Sequence, residues 1–229
     1  MTRTVNRPTD EGPERLAPSM LAAFKALVDA TSAVSDVLDA LGTFGAIPAA
    51  RLRPTLDGVS IVGQAVTIRN VPLRDVPHVA ARRAPQLDVV SVHDVAGDGD
   101  ILVIEGVPDC SNFGGMAALL AKQRGRSGAV IAGGARDISQ CRQAGFPMWV
   151  SAFTPISGKN RVRTVAINGE VTVEGVTVRP GDLVVADSTG VCFVPFGQAE
   201  EVARKLAEVK TQEDADEASI RNIRPNDQS

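Results

Sequence analysis

Hydrophobic and polar positions change their period repeatedly along this chain. From Pro18, "SMLAAFKALVDA" and "TSAVSDVLDALG" repeat apolar residues at helical spacing, with Thr31 or Ser32 as an N-cap and Gly42 as a stop, which predicts two leading helices. "GVSIVGQAVTIRNVP" then switches to β-branched alternation, a strand in which Gly63 marks a bulge or a close approach. "DVPHVAARRA" has the texture of a short helix, while "LDVVSVHDV" and "DILVIEG" are compact apolar runs suited to buried strands. "GGMAALLAKQRGR" is helix-like, "GAVIAG" strand-like, and "RDISQCRQAG" predicts a short helix ended by Gly145. Strands and helices thus alternate through residues 59 to 153, the pattern of an α/β arrangement with parallel pairing.

Beyond Thr154 short β runs are separated by Asn168-Gly169, Pro180-Gly181 and Ser188-Thr189-Gly190, so antiparallel hairpins are expected. "GQAEEVARKLAEVK" closes the fold with a polar-faced helix. Residues 1–17 are polar and rich in Pro, Gly and charge, a flexible arm that cannot bury enough apolar surface to fold alone. That leaves one α/β domain over residues 18–210 and a charged tail over 211–229.

Composition narrows the function. Aromatics make up 3% of the 229 residues and Tyr is absent, so there is no stacking platform for nucleic acid, and a net charge of -3 offers no cationic face. Direct nucleic-acid binding is therefore not expected. Cys110, Cys141 and Cys192 form no CxxC pair and read as small buried hydrophobes. The first residues contain no apolar signal region and no run approaches the length of a membrane span, so a cytoplasmic protein without membrane contact is expected.

The chemistry concentrates in two segments. In "GAVIAGGARDISQ" an apolar run breaks at Gly133-Gly134 and then sets Arg136 beside Asp137. If strand passes to helix there, Gly134, Ala135 and Arg136 lie at a helix N-terminus, where free N–H groups and the dipole attract anions. Arg136 adds a planar fork for a carboxylate. Asp137, one residue on, would not share its face and would offer oxygen to a hard cation such as Mg²⁺. In "EGVPDCSNFGGMAALLAK" a strand ends in Asp109, Ser111 and Asn112, and Gly114-Gly115 opens a helix whose first amides, Gly114 to Ala117, could meet a carboxylate. Two strand ends in adjacent units could frame one site, since ligands of open α/β sheets bind there. The bland alternatives are an Asp that only stabilises a helix dipole and glycines that only allow close packing. "GDGD" at 97 to 100 lacks any phosphate-loop spacing and reads as a turn. His78 and His93 stand isolated, Asp187 fits the first position of a turn, and Ser111 has no His base near it in sequence.

"NFGGMAALLAKQRGRSGAVIAGGARDISQCRQAGFPMWVSAFTP", followed by "VTVRPGDLVVADSTGVCFVP", resembles the RraA-like family, and the match runs from about Thr31 to the final helix. The family includes class II pyruvate aldolases acting on 4-hydroxy-4-methyl-2-oxoglutarate and related acids. The resemblance implies a single-domain αββα sandwich with mixed sheets, of the swivelling, phosphohistidine-domain-like kind. It further implies a homotrimer or hexamer with sites between subunits. By it, Arg136 holds the carboxylate of a small 2-oxo acid and steadies the enolate, and Asp137 ligates Mg²⁺, Mn²⁺ or another divalent metal. Gly114, Gly115, Met116 and Ala117 form the substrate loop. Glu217 in "EASIR", with Glu213 next, matches a glutamate that a neighbouring subunit's tail supplies. The chain departs from the aldolases at Gly115, where many carry an acidic residue. Oxaloacetate decarboxylation is the expected companion activity. The family's namesake inhibits an RNA-degrading endonuclease by protein contact, and this is the alternative expectation.

Overall fold

Residues 13–74, 76–82 and 86–221 are described by the structure, a computed structural model, with the side chains of 212–219 outside that description. Helices α1 (Pro18–Lys25) and α2 (Ala30–Ala40) lead into the short strands β1 (Ala46–Pro48) and β2 (Arg53–Pro54) and then into a twelve-residue strand, β3 (Ile61–Pro72). A single helical turn, α3 (Pro77–Ala80), and a 3-10 turn at Ser91–Asp94 precede β4 (Ile101–Glu105) and β5 (Ser111–Phe113). The α/β half continues with α4 (Gly115–Gln123), β6 (Gly128–Ala135), α5 (Ile138–Gln143) and β7 (Met148–Phe153). β8 (Val162–Ile167), β9 (Val171–Val173), β10 (Val176–Val178), β11 (Leu183–Ala186), β12 (Gly190–Val194) and α6 (Ala199–Arg221) complete the order.

β3, β4, β6 and β7 run parallel, as the βα alternation requires, and β5 adds a short parallel pairing to β6. β12 and β11 form an antiparallel hairpin that β1 extends, and β11 pairs with Ile61–Gln64 at the start of β3. From Ala65 onward β3 pairs with β4 instead, so one strand belongs to both sheets.

The layering follows from side-chain alternation along the strands. Leu102, Ile104, Ala129, Ile131, Met148 and Val150 face Ala118 and Ala121 of α4 and Cys141 of α5. The intervening Ile101, Val103, Val130 and Trp149 face Val184, Ala186, Val191 and Phe193 of the second sheet. On that sheet's far side Leu183, Val185, Cys192 and Val194 meet Phe24, Val34, Leu38, Val202 and Leu206 from α1, α2 and α6. Helix, sheet, sheet and helix therefore stack in the expected αββα order, and each fully buried Leu, Ile or Val stabilises it by about 1.5–3 kcal/mol.

Several local expectations change. "LDVVSVHDV" forms no strand, because the Asp88 carboxylate accepts the N–H groups of Val90 (3.0 Å) and Ser91 (2.9 Å) and turns the chain into the 3-10 segment. α2 starts at Ala30 rather than after a Thr31 or Ser32 cap. The Thr31 N–H (3.0 Å) and hydroxyl (2.7 Å) both donate to Asp187, which also accepts the Thr189 N–H at 2.8 Å in the β11–β12 turn. Asn168-Gly169 does not close a hairpin; Asn168, at φ 57°, gives its N–H to Thr67 O, and β8 pairs with β3. The hairpin turn is Glu174-Gly175, between β9 and β10, with both residues at positive φ (49° and 91°). The end of the expected arm is tied down. Arg15 pairs with the buried Asp100 at 2.5 Å, and the Leu16 N–H donates to Gln64 Oε1 at 3.0 Å. Gly63 is a close approach, since a Cβ there would overlap Gly99 O.

Candidate active site at the carboxyl ends of the parallel strands

β6 runs through its two glycines to Ala135, and the Arg136 N–H donates to Phe113 O at 3.1 Å. Gly134, Ala135 and Arg136 are therefore strand and strand edge, and α5 begins only at Ile138, so the expected N-terminal amide cluster does not form from them. The glycines answer to crowding. A Cβ on Gly133 would stand 2.7 Å from Asn112 Nδ2 and 2.9 Å from Val107 O, and one on Gly134 would stand 2.6 Å from Cys110 O. The segment leading into β5 can lie on β6 only because no side chain projects there. Buried Asn112 holds that segment in shape, donating to Val107 O (2.8 Å) and Cys110 O (3.1 Å) and accepting the Val107 N–H (2.9 Å).

Asp137 caps α5 from the left-handed region, at φ 56°. This conformation turns its side chain back, so that Oδ2 lies 3.4 Å from the Arg136 Nε and 3.4 Å from the Gly115 N. Arg136 and Asp137 thus share a face, contrary to the sequence expectation. Asp137 Oδ1 and the terminal guanidinium nitrogens of Arg136 have no partner among the described residues, and both side chains are about two-fifths exposed, at 38% and 42%.

Both side chains line a cleft of about 190 Å³ together with Gly114, Met116, Ala117 and Lys159. Pockets for drug-sized ligands run from roughly 300 to 1,000 Å³, so this one suits a small acid rather than a nucleotide cofactor. Gly115 sits beside it, under the Gln140 side chain, which a Cβ at 115 would overlap. In α4 the first N–H to find a helical partner is that of Ala118, to Gly114 O at 2.9 Å, so the helix gives no acceptor to the amides of Met116 and Ala117 at the cleft wall. Leu87, Val89 and Phe113 make part of the wall apolar.

Other nucleophiles and bases are disqualified by their bonds. The Ser111 hydroxyl donates to Phe113 O at 2.7 Å. Burial, then the charge of Asp137, push the Cys141 thiol up to about 11, so it stays protonated near neutrality. His93 is buried outside the cleft, and His78 lies in α3. The Glu217 and Glu213 side chains lie outside the described residues. Among the described residues no three His, Cys, Asp or Glu side chains gather to hold a metal, and Asp137 is the one carboxylate lining the cleft. One open carboxylate oxygen fits a largely hydrated Mg²⁺ or Mn²⁺ that a chelating ligand would complete, not an ion in a protein cage.

Sequence reading missed Lys159, and only the fold brings it here. A Cβ on Gly158 would overlap Ser111 O, so the β7–β8 loop presses against β5 and carries its lysine over the cleft.

Comparison with known proteins bears on most of the chain. The family described as RraA-like, Aldolase/RraA, matches residues 31–193. A Halalkalibacterium halodurans protein provisionally named 4-hydroxy-4-methyl-2-oxoglutarate aldolase is 30% identical over 192 residues, covering 83% of this chain and 84% of that protein. Protein DlpA of Legionella pneumophila is 29% identical over 195 residues; these cover 85% of this chain but 31% of DlpA, so the chain spans about a third of that relative. The crystal structure of an uncharacterized Pseudomonas syringae pathovar tomato protein superposes with a TM-score of 0.77 at 28% identity, covering 93% of this chain and 97% of the other.

Proposed function

Since the chain belongs to the RraA-like family, we propose that it is a divalent-metal-dependent carbon–carbon lyase that cleaves 4-hydroxy-4-methyl-2-oxoglutarate or a related 4-hydroxy-2-oxo acid to pyruvate. The observation that carries this reading is the convergence of Arg136, Asp137 and the first turn of α4 on one small cleft at the carboxyl ends of β5 and β6. The 30% identity to a provisionally named aldolase supports it.

Arg136 grips the substrate carboxylate through its open nitrogens with two parallel hydrogen bonds, and the amides at the start of α4 add donors on the same side. Asp137 would hold the divalent ion, which would supply Lewis-acid stabilisation of negative charge on the 2-oxo group. The 4-hydroxyl proton passes to a water, the C3–C4 bond breaks with its electron pair kept on C3, and C4 becomes a carbonyl. Arg136 steadies the resulting pyruvyl enolate, the electrostatic contribution that dominates such reactions. C3 then takes a proton and pyruvate leaves. Loss of carbon dioxide from oxaloacetate yields the same enolate, so that decarboxylation accompanies the cleavage. A homotrimer, or a hexamer of two trimers, with Glu217 of a neighbouring subunit at the site, completes the reading.

The deciding assay follows pyruvate from 4-hydroxy-4-methyl-2-oxoglutarate and from oxaloacetate, with Mg²⁺ and with chelator. Arg136→Lys keeps the charge and loses the fork, so turnover should fall about 100-fold. Wild-type rates in that variant, or full activity under chelation, overturn the assignment. Retention of an RNA-degrading endonuclease by the protein without pyruvate release would favour the inhibitor instead.

A further inference from the structure

Asp137 is not the only side chain directed from α5 to the first turn of α4. Gln140 stands three residues further on and therefore on the same face of the helix. Its side chain lies directly over Gly115: a Cβ there would overlap Gln140 Oε1 and stand 2.8 Å from its Cβ and 3.1 Å from its Cδ. Gly115 is not among the residues at positive φ, so its backbone does not require glycine, and what excludes a side chain is Gln140. The Gly115 N–H meanwhile faces Asp137 Oδ2 at 3.4 Å, so the carboxylate and the amide both bear on this one residue. A glutamine at the third position of a helix commonly reaches back to the backbone N–H of the cap residue. Here it is turned onto α4 instead, and its amide forms no hydrogen bond among the described residues. Asp137 is the one carboxylate lining the cleft, and its Oδ2 is engaged by the Arg136 Nε and the Gly115 N–H. An ion held there keeps most of its waters, whose protons need further acceptors. The Gln140 oxygen is a free acceptor beside it.

Resting on the metal-dependent reading above, we propose that Gln140 is a positioning residue of the ion site: its amide oxygen accepts a hydrogen bond from water that hydrates the ion on Asp137, out of the space a side chain at position 115 would otherwise fill. Positions 115 and 140 then act as one unit, because there is room for an acceptor from α4 or from α5 and not for both. A neutral amide orders water without adding charge, so this chain holds its ion more weakly than it would with a carboxylate in the same space. Gln140 takes no part in the bond-breaking step and acts only through the hydrated ion.

Titration of the full-length protein with Mn²⁺, the free ion being followed by its electron paramagnetic resonance signal with no acid present, tests this apart from turnover. Gln140→Ala should weaken Mn²⁺ binding about tenfold, as removal of a group that orients an ion's inner ligands usually does, while melting within a few degrees of the wild type. Gln140→Glu should instead tighten binding, and added salt should shrink that gain. Adding Gly115→Asp to Gln140→Ala should restore binding to the wild-type level or beyond. In pyruvate release, Gln140→Ala should raise the Mg²⁺ concentration needed for half-maximal activity about tenfold, with little change in kcat at saturating Mg²⁺. Wild-type affinity for Mn²⁺ in Gln140→Ala, equal weakening in the Ala and Glu variants, or a double variant no tighter than Gln140→Ala overturns the assignment of Gln140 and leaves the metal-dependent reading intact. A fall in kcat that saturating Mg²⁺ does not repair also contradicts it. If the wild type binds no Mn²⁺, both fall together.

Discussion

Asp137 occupies a conformation that costs most side chains roughly 1–2 kcal/mol, and asparagine shares aspartate's tolerance of it. Asp137→Asn should therefore melt within a few degrees of the wild type yet lose the stimulation of pyruvate release by Mg²⁺, which calorimetry and the pyruvate assay check side by side. A variant that melts early would place the residue in the architecture and not in the chemistry. His93 makes a different kind of residue-level argument. Burial, then the charges of Arg126 and Arg124, lower its affinity for a proton in the folded chain, and neither ring nitrogen has a hydrogen-bond partner among the described residues. The unfolded chain takes up that proton near the ordinary value of 6.5 and the folded chain only at lower pH, so between the two unfolding gains a proton and stability drops as pH falls below 6.5. Urea unfolding from about pH 7.5 to about pH 5.5 should show a loss of up to about 1.4 kcal/mol per pH unit, and His93→Phe should flatten that slope. Sequence alone exposed Arg136 and Asp137, because a Gly-Gly break after an apolar run announces itself. It did not show that the two side chains touch, since a left-handed aspartate leaves no mark in composition.

At the scale of elements, the strands with continuous apolar runs and the helices with clear stops were legible, and their alternation carried the parallel order of β3, β4, β6 and β7. The failures share one cause. In "LDVVSVHDV", in the Thr31 cap and at Asn168-Gly169 a local signal was outbid by a polar partner, and the decisive atoms, Asp187 and Thr67 O in the last two cases, lie far away in sequence. The loop that brings Lys159 to the cleft was illegible for the same reason, as it depends on Gly158 meeting a backbone oxygen of β5. Gly158→Ala is accordingly a test of the element rather than of the lysine. Its methyl should force the loop outward and cost about 1–3 kcal/mol of stability in denaturant titrations. An alanine variant that keeps full stability would show that the loop is not held by this contact.

For the molecule as a whole, the αββα order was predictable once the family resemblance was in view, whereas the pattern alone indicated only α/β with an antiparallel second half. Light scattering on the purified protein should give about 72 kDa, three chains of 24.0 kDa, or twice that; a 24.0 kDa species that still releases pyruvate would remove any need for a neighbour's glutamate. No helix among the described residues is long and apolar enough to cross a membrane. The strand shared between the two sheets carries one more implication. Because β3 is hydrogen-bonded first to β11 and then to β4, peeling either layer away would strip partners from one half of a single continuous strand. Heat or denaturant should therefore find no seam along which to open the protein, and the face that carries the cleft should be lost in the same cooperative step as the helices on the far side.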